Sequence, residues 1–235
     1  MYQTNMIWII AIAVLFISRI MSGSFDLMGT LLMLPGLVLA LTFHEYAHAK
    51  TSDKLGDPTP EAEGRLTLNP FAHLDPIGTI CLLFAGFGWG KPVNINPTYY
   101  RNPVKDSAKV AAAGPIANFI LAFAMFFLYT IISILAPETQ AVDIILTMLF
   151  YGAYLNVSLG VFNLLPFPPL DGSKIFAYIL KGKAREFMYK LEQYSWIILT
   201  ILFVTELPAR IITPIVSAIS FGMGVVISII INLFV

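Results

Sequence analysis

The 235-residue chain is 57% hydrophobic and only 12% charged, with 14 basic against 14 acidic residues and a mean hydropathy of +0.79. A soluble domain carries about 25% charged residues, which argues against a water-soluble globule, and zero net charge removes the clustered cations that a nucleic-acid partner requires. The one cysteine, Cys81, permits neither an intramolecular disulfide nor a Cys-based zinc site, so any metal rests on His, Asp or Glu.

A helix needs about 20 apolar residues to cross roughly 30 Å of hydrocarbon. Six stretches qualify as spans: Gln3 to Met21, Leu27 to Lys50, Ala108 to Ala136, Ala141 to Leu165, Tyr194 to Leu207, and Arg210 to Val235. The first lacks a basic n-region and a small-residue exit, and reads as a retained helix rather than a signal peptide. Between the second and third spans, the apolar run Pro76 to Trp89 is too short to cross, reaching about 21 Å as a helix, and reads as re-entrant or interfacial. Lys50, Lys54 and Arg65 precede it and Lys91, Arg101, Lys105 and Lys109 follow it. Both flanks are basic, which places them together on the cytoplasmic side. The polar stretch Thr51 to Asp106 also contains two alternating segments, Arg65 to Asn69 and Pro92 to Asn96, which predict a small β-hairpin or sheet at the membrane rim. The expected fold is thus an all-α polytopic membrane protein of about six transmembrane helices, one membrane-embedded domain over residues 1–235, multi-pass in the cell membrane.

Ionisable groups inside a span are costly and point to function. The second span holds His44-Glu45-Tyr46-Ala47-His48. Spacing of four places His44 and His48 one above the other on one helix face, where two imidazoles can share a tetrahedral zinc ion. Glu45 projects about 100° away, free to act as a general base towards water rather than as a ligand. Catalytic zinc takes three protein ligands and leaves one position open. Candidates for the third are His73, Asp75 and Asp171. Asp171 follows three prolines that break the helical pattern after the fourth span, and broken backbone at membrane depth lines protein or water rather than lipid. Asp171 and His48 both lie within about one turn of a lysine, hence at similar depth near the cytoplasmic boundary. His73 and Asp75 sit in Asn69-Pro70-Phe71-Ala72-His73-Leu74-Asp75-Pro76, where Asn-Pro and Asp-Pro also mark turns.

These elements, with Gly114-Pro115-Ile116-Ala117-Asn118 and Asn163 through Gly172, occur in one order over residues 44–172. Together they resemble the site-two proteases, polytopic zinc metalloproteases that cleave transmembrane helices of other proteins, and in particular the compact branch without an inserted PDZ domain. The resemblance implies one zinc ion per chain on His44, His48 and Asp171, Glu45 as the base, and a site near the cytoplasmic face. It implies that Asn163 holds the scissile carbonyl or its oxyanion; Asn118 and Asn156 are further substrate-binding candidates that could equally be interhelical hydrogen-bonding residues, and His73, in its turn, is a candidate to face substrate. Transmembrane protein substrates and membrane lipids are the partners it implies, in regulated intramembrane proteolysis. The aspartate motif reads Leu-Pro-Phe-Pro-Pro-Leu-Asp-Gly rather than the shorter Asn-Pro-Asp-Gly of some members. A membrane zinc transporter and a catalytically silent membrane scaffold are the alternatives. The interiors of the fifth and sixth spans offer no ionisable path for the first, and the intact His44, Glu45 and His48 argue against the second.

Overall fold

Asp26 opens the first described helix, α1 (Leu27–Lys54), by accepting the Gly29 N–H at 2.9 Å, which satisfies one of the amides that a helix start leaves free. The computed structural model describes Met21 and residues 26–85, 90–204 and 207–233. Short helices α2 (Thr59–Ala62) and α3 (Pro76–Ala85) follow, then the long α4 (Pro103–Leu135) and α5 (Gln140–Asn163). Asn102 caps α4 through the Lys105 N–H while Asp106 takes the Asn102 N–H in return. Thr139 caps α5. Beyond a proline-rich turn lie α6 (Asp171–Ile179), α7 (Lys183–Leu191), α8 (Ser195–Val204) and α9 (Leu207–Asn232).

The helices α1, α4 and α5 pack against one another, with α9 against α4 and α5 and with α6 against α4. Lipid tails are as apolar as leucine, so close backbone approach rather than hydrophobic burial holds such a bundle. Gly36 of α1 and Gly152 of α5 meet almost backbone to backbone, and a Cβ on Gly36 would overlap the Gly152 Cα. Farther along, Ala122, Val157, Val161 and Val216 form a buried cluster backed by Phe119 and Ile212. The second half of α1, the first half of α4 and the start of α6 come together through contacts of His48 with Val110 and of His44 with Asp171.

Among the described residues four helices are long and apolar enough to cross a membrane: α1, α4, α5 and Arg210–Asn232 of α9. The first expected span, Gln3 to Met21, lies outside the described residues except for Met21. The expected fifth, Tyr194 to Leu207, falls on α8 and on residues 205–206, which lie outside the described residues.

The predicted rim sheet is corrected. Among the described residues there is no sheet, only a single antiparallel bridge between Leu74 and Gly90. Alternation is too short here to outweigh local partners. The Arg65 N–H goes to the Pro60 carbonyl and the Asn69 N–H to Thr67 Oγ1. In the second segment Pro92 has no N–H, while the amides of Val93 and Asn96 go to carboxylates. The bridge nevertheless brings together the two ends of the apolar run that follows Asp75.

Candidate metal centre

Two histidines one turn apart on α1 bring their Nε2 atoms within 3.0 Å of each other. Each ring is fixed from behind. His44 Nδ1 lies 2.6 Å from Asn118 Oδ1 and His48 Nδ1 lies 2.7 Å from the Val110 carbonyl. Both acceptors demand a proton on Nδ1, so in the neutral rings both Nε2 atoms present lone pairs. Asn118 is oriented in turn, its amide donating to the Ala40 carbonyl at 3.0 Å and to Asn156 Oδ1 at 2.9 Å. Asn156 donates to the Gly152 carbonyl at 2.8 Å. This chain crosses α1, α4 and α5 with every member buried.

The third arm is Asp171, the first residue of α6. Its Oδ2 stands 3.2 Å from both Nε2 atoms and has no hydrogen-bond partner. Gly172 allows the arm to fold back, since a Cβ there would overlap the Leu164 and Leu165 carbonyls.

The donor set fits zinc. Ligand atoms about 2.0–2.1 Å from a tetrahedral ion stand roughly 3.3 Å apart, close to the 3.0, 3.2 and 3.2 Å observed. Gly114 supplies the space, because a Cβ there would lie 2.5 Å from His48 Nε2 and 2.7 Å from His44 Nε2. Among the described residues His44, His48 and Asp171 are the grouped donors. The other two candidates lie apart from them. His73 is fully buried, donates from Nε2 to the Thr67 carbonyl at 2.7 Å and has no partner for Nδ1. Asp75 accepts the Gly78 N–H at 2.7 Å at the start of α3.

Glu45 is half-buried, and its Oε2 accepts the Val93 N–H at 2.9 Å. That amide belongs to a strap, residues 90–100, pinned beside α1 at several points. The Lys91 N–H donates to the His73 carbonyl at 2.7 Å, and the Arg65 guanidinium to the Lys91 carbonyl. The Asn96 N–H donates to Asp57 Oδ2 at 2.7 Å. Fully buried Asp57 also accepts from Ser52 Oγ at 2.8 Å and from the Thr59 N–H at 3.0 Å. Burial opposes its ionisation, yet these donors hold the carboxyl below its ordinary value. Asn163 is the last residue of α5 and is half-buried, its amide donating to the Leu159 carbonyl at 3.1 Å. The sequence showed Gly114 only as part of the Gly114–Asn118 motif, not as the space beneath the Nε2 atoms, and it did not show the Val93 amide at all. The first carried a signal, a glycine four residues before Asn118 on the same face; a backbone amide carries none.

The profile of Peptidase family M50 matches residues 128–206, the stretch that contains Asn163 and Asp171. YwhC of Bacillus subtilis, whose name describes a zinc metalloprotease, is 41% identical over 184 residues, covering 77% of this chain and 84% of that one. Rip2 of Mycolicibacterium smegmatis, named likewise, is 28% identical over 180 residues, 74% of this chain and 67% of its own. No solved structure matches the chain. Two histidines and an aspartate converging on a zinc-sized gap are what a metallopeptidase needs, and the extent of these likenesses settles the kinship: the chain belongs to peptidase family M50, the site-two protease family of zinc metalloproteases.

Proposed function

We propose that this protein hydrolyses peptide bonds in or near transmembrane segments of other membrane proteins, at a site close to the cytoplasmic face of the cell membrane, as a step of regulated intramembrane proteolysis. Six crossings over a single domain, residues 1–235, remain part of this reading. The observation that carries it is the convergence of His44, His48 and Asp171 towards one end of a membrane-spanning bundle, with Glu45 one residue from a ligand.

His44 and His48 through Nε2, and Asp171 through Oδ2, would hold zinc. When bound, zinc supplies Lewis acidity, polarising a carbonyl and making water acidic enough to deprotonate near neutral pH. Glu45 takes the proton of the attacking water and returns it to the leaving amine. The Val93 N–H fixes Glu45 Oε2, which leaves Oε1 to carry the proton. Asn118 and Asn156 act through His44, holding its ring and tautomer rather than touching substrate. Asn163 sits beside the proline turn that delivers Asp171 and turns its amide to the scissile carbonyl once substrate displaces the bond to Leu159. His73 braces the loop that carries the strap. The substrate helix unwinds locally, because its own hydrogen bonds otherwise shield the peptide groups.

Glu45→Gln tests the reading. With a model transmembrane substrate in proteoliposomes, the variant retains one zinc per chain and loses cleavage. Wild-type cleavage rates in that variant would overturn the assignment.

A further inference from the structure

Helix α7 and its flanks carry Lys181, Lys183, Arg185 and Lys190 against Glu186 alone over residues 181–191. The helix packs mainly on α6 and on the turn Glu192–Tyr194. Its inner face is set by Met188, which is buried, and by Arg185, whose guanidinium donates to the Ala177 and Leu180 carbonyls at the end of α6. Tyr189 lines a groove with Val104 and Ala177. On the remaining face Lys183, Phe187 and Lys190 stand at i, i+4 and i+7, one exposed stripe. Phe187 is 61% exposed, and neither lysine has an ion-pair partner among the described residues.

Where this stripe stands decides what covers it. Asp171, at the start of α6, meets His44 and His48 in the second half of α1, and Gly172 beside it meets the Leu164 and Leu165 carbonyls just past the end of α5, so α6 and α7 lie towards that end of the bundle, where the headgroups of a surrounding bilayer would stand. An aromatic ring between two unpaired lysines suits that layer, the ring entering the acyl boundary while the ammonium groups reach phosphate. The cytoplasmic leaflet is negatively charged, and juxtamembrane lysines are drawn to it. We infer that the Lys183–Phe187–Lys190 face of α7 lies on the membrane as a binding surface for anionic phospholipid headgroups. Through the Arg185 clasp, this surface is tied to the helix that carries Asp171.

The inference is independent of proteolysis and is tested without it. A spin label at Phe187→Cys, in a Cys81→Ser background, is placed in vesicles of phosphatidylcholine alone or mixed with phosphatidylglycerol. Accessibility to oxygen, which partitions into lipid, is compared with accessibility to a water-soluble nickel chelate. The oxygen-to-nickel ratio rises severalfold with the anionic lipid, and Lys183→Gln with Lys190→Gln returns it to the zwitterionic level. Equal ratios in both vesicles, or a rise that survives the two glutamines, would overturn it; the first result points to a protein covering the face instead.

Discussion

The metal cradle and the strap beside Glu45 adjoin each other but are held by different means. In the cradle, side chains hold side chains across three spanning helices: Asn156 orients Asn118, which orients His44. Positions there follow from helix packing, and small residues set the distances, as Gly114 does under the two Nε2 atoms and Gly36 against Gly152 farther down. In the strap, side chains hold backbone: Glu45, Asp57 and Arg65 each take a main-chain group of residues 91–96. A loop has no ladder of its own to satisfy its amides and carbonyls, so buried charges do it. The cradle is therefore sensitive to volume, and the strap to the loss of single donors or acceptors.

Volume at the cradle gives the largest effect. Gly114→Ala places a methyl where the Nε2 atoms converge, and zinc per chain, measured by mass spectrometry, falls to background along with cleavage. Full zinc occupancy in this variant would mean that helix packing does not set the site. Asn118→Leu comes next. It leaves the His44 Nδ1–H and the Asn156 carbonyl buried without partners and frees the ring, and zinc affinity drops by about 10- to 100-fold. Competition with a chelator measures it. A loss of thermal stability with unchanged affinity would make Asn118 a packing residue only.

The same contrast explains what the sequence could disclose. His44, Glu45 and His48 lie within one helical turn, so periodicity alone placed them; Asp171 needed a second argument, from broken backbone and depth. The rim sheet was misread, because Arg65 to Asn69 and Pro92 to Asn96 alternate correctly while their amides are claimed by Pro60, Thr67, Glu45 and Asp57. Side-chain pattern reports which face is polar, and it does not report which acceptor an amide will find.

At the strap, Val93→Pro removes one N–H and keeps an extended backbone next to Pro92. Zinc stays at one per chain, while kcat falls about tenfold, the value of one hydrogen bond to a charged group; an unchanged kcat would free Glu45 from any dependence on the strap. Asp57→Asn is gentler on catalysis, a fewfold loss, since it acts through the Asn96 amide rather than on Glu45. Its signature is pH. Because the folded Asp57 carboxyl sits below its ordinary value, its contribution is complete above the unfolded value, about 4, and is lost only as pH falls through the lowered folded value. Hydrogen exchange at the Asn96 amide should therefore stay protected from neutral pH down to about 4 in the wild type and weaken only below. In Asp57→Asn protection is reduced at every pH, since an amide cannot accept from Ser52, Thr59 and Asn96 with both of its heavy atoms. Equal protection in the two proteins at neutral pH would show that the strap does not hang on this carboxylate.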